Sequence, residues 1–148
     1  AGANYGTALE SALKMGETIH IPSCCYEIEE YIHGPNLQLT PQYNVIFFDG
    51  NDGASRRVEQ VYKATRKVTN RAYLISNNPQ LSSDDHVLSL SDTVSSELSP
   101  LVYLPFVQLL SFIVSNDLHS IYQHPLLKEF KAIAAAKTEN FVNYDGDD

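Results

Sequence analysis

Basic residues are scarce in this sequence: ten Lys and Arg stand against eighteen Asp and Glu, for a formal charge of −8. A field of that sign repels phosphate backbones and anionic bilayers, which argues against nucleic acid or membrane as partner. A small sugar phosphate stays open, because a local cluster of N–H groups can hold an anion against the global field. Cysteine is scarce too, occurring only as the neighbours Cys24 and Cys25. Vicinal cysteines pair only with strain and no third thiol is available, so no disulfide framework is expected. Both read as thiols of a reducing compartment. His20 and His33 bring no familiar metal-ligand spacing, so no metal is implied. Long apolar runs are also missing. The most apolar stretch, 98–116, is broken by Ser99, Pro100, Pro105, Gln108, Ser111 and Ser115, which excludes a membrane span. No basic segment and apolar core of a signal peptide opens the chain. These absences leave a soluble, cytoplasmic protein as the expectation.

What is there is enough for one domain. With 148 residues, 43% of them hydrophobic, the chain can bury roughly 70% of its unfolded surface without a covalent or metal staple. A glycine-bearing turn, Ala1-Gly2-Ala3-Asn4-Tyr5-Gly6, leads into a helix over 7–17, with Thr7 as its cap and Leu9, Ala12, Leu13 and Gly16 on one stripe. A short helical stretch over 26–32 is stopped by Gly34-Pro35. The apolar runs 44–48, 72–75 and 86–90 read as strands. Between the first two lies an amphipathic helix over 54–70, with Val58, Val61, Tyr62, Thr65 and Val68 inward and Arg56, Arg57, Lys63, Arg66 and Lys67 outward. A long apolar helix, expected to be buried, covers 98–118, before an acidic tail. Short strands alternating with helices indicate an α/β domain with a parallel sheet, whose ligands are expected beyond the carboxyl ends of the strands. The opening glycine turn resembles a loop that follows a strand, yet no strand precedes it. The chain is therefore expected to begin just inside a domain.

Two places could carry chemistry. Glu10, Lys14 and Glu17 fall at i, i+4 and i+7, on one face of the first helix. On spacing alone that is equally a solvated charged stripe. His33 stands where a helix must stop, in Glu30-Tyr31-Ile32-His33-Gly34-Pro35. A histidine at a loop edge can reach a ligand and transfer protons near neutral pH. An ordinary turn histidine would look the same.

In combination these segments are more specific. Ala8-Leu9-Glu10-Ser11-Ala12-Leu13-Lys14-Met15-Gly16-Glu17, the run Glu30 to Pro35, then Pro100-Leu101-Val102-Tyr103 and Gln108-Leu109-Leu110 resemble the sugar isomerase (SIS) domain family. The likeness is to the second SIS domain of glutamine–fructose-6-phosphate aminotransferase and of fructosamine-6-phosphate deglycases, and it runs from residue 1 to about 128. It implies a three-layer α/β fold with a five-stranded parallel sheet, here without its first strand. Residues 1–128 would be the carboxyl-terminal member of a tandem SIS pair and 129–148 a tail. It further implies a homo-oligomer with sites at subunit interfaces, a sugar phosphate as ligand, and no cofactor.

By matching motif positions, Glu17 falls on the family's catalytic glutamate. His33 falls on its ring-opening histidine, which usually serves the neighbouring subunit's site, and Lys14 on an active-site lysine. Lys128 and Lys131 follow His124-Pro125 near the place of the family's late lysine, though their surroundings depart from its pattern. Moving a proton between C1 and C2 of an open-chain phosphosugar requires one group that accepts and returns it. A partly desolvated glutamate can be tuned toward neutral pH for that task, and a lysine one turn away opposes the tuning. Ser89-Leu90-Ser91-Asp92-Thr93 looks like the family's phosphate loop, but it corresponds to an ordinary strand end, the phosphate loop belonging to the other domain. Three functions follow: a ketosamine-6-phosphate deglycase or related isomerase, the isomerase domain of the aminotransferase, and a non-catalytic sugar-phosphate sensor. The poor match at the carboxyl end favours the first. The pairing of Glu17 with His33 argues against the sensor, which needs no proton shuttle.

Overall fold

The computed structural model describes residues 2–90, 94–120 and 133. Lys128, Lys131, the tail 129–148 apart from residue 133, and Ser91 to Thr93 lie outside the described residues. Among the described ones, β1 (Val45–Phe48), β2 (Ala72–Ser76) and β3 (Val87–Ser89) form a three-stranded sheet in the order β1-β2-β3. Both pairings are parallel, with Val45 opposite Ala72 and Leu74 opposite Val87. The α/β class and the three expected strands are therefore present.

Side chains alternate across this sheet, so each face has its own core. Phe47, Ala72 and Leu74 point to one side, where Ile28, Val58, Val61 and Tyr62 pack from α2 (Ile28–Ile32) and α3 (Ser55–Thr65). Phe48 and Ile75 point to the other, against Tyr103 and Val107 of α4 (Ser99–Asp117), with Ala8 and Met15 of α1 (Asn4–Ile19) beside them. The result is three layers, with α1 and α4 on one side of the sheet and α2 and α3 on the other.

Several boundaries differ from the sequence reading. Helix α1 begins at Asn4, not at a Thr7 cap: Thr7 is buried inside it and its hydroxyl donates to Asn4 Oδ1 at 3.2 Å. Helix α2 is trimmed to Ile28–Ile32 because Glu27 caps it, accepting from the Glu29 N–H at 2.7 Å, while Glu30 reaches back to the Glu27 N–H at 3.3 Å. Helix α3 ends at Thr65, and Val68 is exposed rather than inward. The cause is the buried Thr69, whose hydroxyl lies 3.0 Å from the carbonyls of both Pro41 and Tyr43 and ties the chain to the segment that leads into β1.

The largest correction concerns α1 and α4. The long helix was expected to be buried, yet its buried ridge is Ser99, Tyr103, Val107, Ser111 and Ser115. Leu101, Leu109, Phe112 and Ile113 are exposed. Likewise α1 buries Asn4, Thr7 and Ser11 and exposes Leu9 and Leu13. Small polar residues line the seam between the two helices, which lets them run parallel and close. Asn4 Nδ2 donates to Ser99 Oγ at 2.6 Å at one end, and Ser120 Oγ donates to the Thr18 carbonyl at 2.6 Å at the other. Nineteen apolar-rich residues could cross a bilayer by length. Here Tyr103 and Val107 are spent on the domain core instead.

Candidate functional site

Glu17 stands near the carboxyl end of α1, where the helix gives way to the loop before α2. Lys14 Nζ lies 2.6 Å from Glu17 Oε2 and 3.6 Å from Glu10 Oε1, so the three residues of the charged stripe are brought together as the sequence suggested. The hydrogen bond to Glu17 is the largest influence on Lys14 and raises its pKa above the usual lysine value, holding it charged. Beside them an open groove of about 530 Å³ is lined by Ala12, Leu13, Gly16, Glu17, Ile21, Pro22 and Ser23. It offers one carboxylate and one hydroxyl on an otherwise apolar wall. A carboxylate oriented by a lysine over such a wall can hold a hydroxyl-bearing ligand or exchange a proton with it.

His33 is the C-cap of α2. Its Nδ1 lies 2.6 Å from the Glu29 carbonyl oxygen. A carbonyl can only accept, so Nδ1 carries the hydrogen, and in the neutral ring Nε2 is left as the acceptor. The same Glu29 binds Arg57 of α3 through both carboxylate oxygens, at 2.7 and 3.3 Å. That guanidinium is the main reason the Glu29 carboxyl sits below its ordinary pKa. Helix α2, and with it His33, is thereby tied to α3.

The structure does not bring Glu17 and His33 into one layer. Glu17 belongs to the α1/α4 side of the sheet and His33 to the α2/α3 side. Nor does Glu17 sit at the carboxyl ends of the strands, where the fold class predicted a ligand. The amino end of α1 lies there, and Glu17 is about 20 Å further along the helix at 1.5 Å per residue.

The carboxyl ends hold a different cluster that sequence reasoning missed. Asp49, directly after β1, accepts from Ser76 Oγ at 2.7 Å and from the Asn51 N–H at 3.0 Å. Tyr103 Oη donates to the Asp49 carbonyl at 2.6 Å. Burial, followed by the Asp49 charge, pushes the Tyr103 phenol up to about 12. Asn77 is buried with its Oδ1 unpartnered. Gly2 belongs to this end as well. Its φ is +57°, and an added Cβ would come 2.4 Å from Asp52 Oδ2, so only glycine fits there. The opening turn therefore packs against the loop after β1. The signal for the cluster was the pair Asp49-Gly50 ending a strand, together with the lone polar ring in 100–103. Among the described residues no three His, Cys, Asp or Glu side chains converge as metal ligands.

No protein-family model matches the sequence. The chain is 31% identical over 120 residues to the glutamine–fructose-6-phosphate aminotransferase [isomerizing] of Methanothermobacter thermautotrophicus, covering 78% of this chain and 20% of that protein. The enzyme of that name from Xylella fastidiosa is 28% identical over 113 residues, covering 75% and 19%. The chain thus spans about one fifth of the curated relatives it matches. In fold it is similar to a proposed phosphosugar isomerase from Clostridium difficile 630, with a TM-score of 0.74 at 23% identity over 93% of this chain and 38% of that one. A proposed sugar-binding protein from Salmonella typhimurium LT2 follows with a TM-score of 0.64 at 27% identity, covering 74% and 33%. In sequence this chain resembles glutamine–fructose-6-phosphate aminotransferase and in fold these sugar-handling proteins, as an SIS domain like that of the aminotransferase would.

Proposed function

We propose that the chain is a phosphosugar-handling SIS domain of a ketosamine-6-phosphate deglycase or related isomerase, working by proton transfer between C1 and C2 of an open-chain sugar phosphate. The observation that carries this reading is Glu17, at the motif position of the family's glutamate, on a helix, paired with Lys14 and beside an apolar-walled groove. Glu17 is the shuttle base. Lys14 fixes its carboxylate and offers a cation to oxygen charge developing at the reacting carbons. His33, with Nδ1 occupied and Nε2 open, suits proton movement during ring opening. It lies on the other side of the sheet from Glu17, so it serves a site other than the one its own Glu17 serves.

The second reading, the isomerase domain of the aminotransferase, is favoured by the names of the curated relatives. Release of a free amine from a fructosamine 6-phosphate, without glutamine, separates the first reading from the second. In the full-length protein Glu17→Gln keeps shape and hydrogen bonding but cannot accept the proton. Its kcat should fall about 10²–10⁴-fold with little change in substrate affinity. Mixing Glu17→Gln with His33→Ala protein should restore part of the activity through hybrid assemblies. Wild-type kcat in Glu17→Gln would end the shuttle assignment.

A further inference from the structure

We infer that the groove beside Glu17 receives the amine end of the substrate and selects ketosamine 6-phosphates whose nitrogen carries an uncharged, apolar substituent. The inference deepens the proposed function and rests on it for the class of ligand. In a ketosamine 6-phosphate the nitrogen is bonded to C1 and the phosphate to C6. A base that moves a proton between C1 and C2 therefore stands beside the nitrogen, with the phosphate at the far end of the carbon chain. Whatever the nitrogen carries must fit the space next to Glu17. The groove of about 530 Å³ that Glu17 lines is that space. Its size falls within the roughly 300–1,000 Å³ of clefts that take small molecules.

Charge decides which end of the ligand enters. The groove lies at the carboxyl end of α1, the negative end of the helix dipole, and no basic residue stands in that last turn. Glu17 adds a carboxylate, and the cation of the stripe, Lys14, is held between Glu10 and Glu17. A phosphate meets repulsion there, and a protonated secondary amine does not. The wall decides what the amine carries. Leu13 on the helix is 52% exposed and Ile21 on the loop after it 48%. Both line the groove, and Ser23 turns its hydroxyl away to the Ile21 carbonyl at 3.4 Å. Gly16 supplies the room. Beyond its own turn of helix, a Cβ placed on it would meet only the Ile21 carbonyl, 3.9 Å away. A side chain at 16 is thus sterically allowed and would occupy the groove, which glycine leaves open. An aliphatic or aromatic substituent removes Leu13 and Ile21 from water, whereas a charged one gives up its own hydration against bare methyl groups.

Binding can be read without turnover. 1-Alkylamino-1-deoxyhexitol 6-phosphates keep the amine and the phosphate but lack the carbonyl, so the protein cannot process them. Calorimetry on the full-length protein should find the 3-methylbutylamine compound at least tenfold tighter than the methylamine one. Each buried methylene is worth about fourfold, and the open side of the groove takes back part of that. The compounds made from glycine and from propane-1,3-diamine should bind no better than the methylamine one. Gly16→Leu fills the groove and Ile21→Asn wets its wall, so each should erase the tenfold preference, with circular dichroism showing the fold retained. Arg56→Gln, on the exposed surface of α3, should leave the preference unchanged. Ile21 is half-exposed, so its substitution carries the test should Gly16→Leu not fold. Equal binding of the four compounds, tightest binding of a charged one, or a preference that survives both groove substitutions overturns the inference. Failure to bind any of the four does so too, and binding of a hexose 6-phosphate in that case leaves the phosphosugar reading standing. The preference together with wild-type kcat in Glu17→Gln would remove the shuttle and keep the groove. A working shuttle without the preference would do the reverse.

Discussion

The two helical layers cover the same sheet but meet the solvent in opposite ways. Layer α2/α3 turns apolar residues inward and presents charge, with Arg56 and Lys63 exposed and Glu29 paired to Arg57. Layer α1/α4 buries serine, threonine and asparagine in its seam and presents leucine and phenylalanine. The difference teaches that an apolar stripe identifies a helix's inner side only when the packing inside has room for large side chains. On α3 the apolar stripe marks the core. On α1 the stripe of Leu9 and Leu13 marks the outside, because close approach to α4 selects small residues for the seam.

The comparison is broken hardest at the sheet. Leu74 is fully buried on the α2/α3 side, and Leu74→Ala should cost about 2–5 kcal/mol in chemical denaturation. Val107→Ala, its counterpart on the α1/α4 side, removes two carbons and should cost about 2 kcal/mol at ~0.8 per methylene. Losses in the ratio of the three and two carbons removed would show that the two cores are packed alike despite their different helices.

A smaller effect is expected at the join between α4 and the strand ends. Tyr103→Phe removes the hydroxyl bound to the Asp49 carbonyl and should cost about 1–3 kcal/mol. The sign with pH follows from a phenol raised in the folded state from 10.0 to about 12. Its contribution is whole below pH 10 and is lost as pH rises through about 12, because the unfolded chain gives up the proton first. Denaturation midpoints measured from pH 9 upward should fall less steeply in Tyr103→Phe than in the parent.

The smallest effect belongs to the charged surface. Arg57→Gln breaks the exposed bidentate pair with Glu29, and a shift in melting temperature near the measurement error is expected, vanishing at high salt. A large, salt-independent loss would mean that α2 is held by that pair rather than by Ile28, Tyr31 and Ile32 against the core.

Much of this fold was legible because its signals are local. Three short apolar runs flanked by turn-forming residues such as Asp49-Gly50, Asn70 and Asp84-Asp85 became three parallel strands. The spacing of Glu10, Lys14 and Glu17 became a real cluster, since i, i+3 and i+4 relations within one helix need no tertiary information. Helix ends were less legible, because Thr69 and Glu27 act through hydrogen bonds that compete with the helix rather than through pattern. The polar cluster at the strand ends left only a faint local trace, Asp49-Gly50 at the end of a strand, and nothing that tied its members together. Asp49, Ser76 and Tyr103 are far apart in sequence, and each looks ordinary by itself.

By itself, then, the sequence determined the α/β class, the parallel strands, the charged stripe on α1 and the family resemblance, all properties carried by contiguous segments. Only the tertiary structure decided which side of α1 and α4 faces inward. It alone separated Glu17 from His33 by the thickness of the sheet and set Glu17 far from its own strand ends. The physical reason is that periodicity fixes which residues share a helix face, whereas the direction of that face depends on what packs against it.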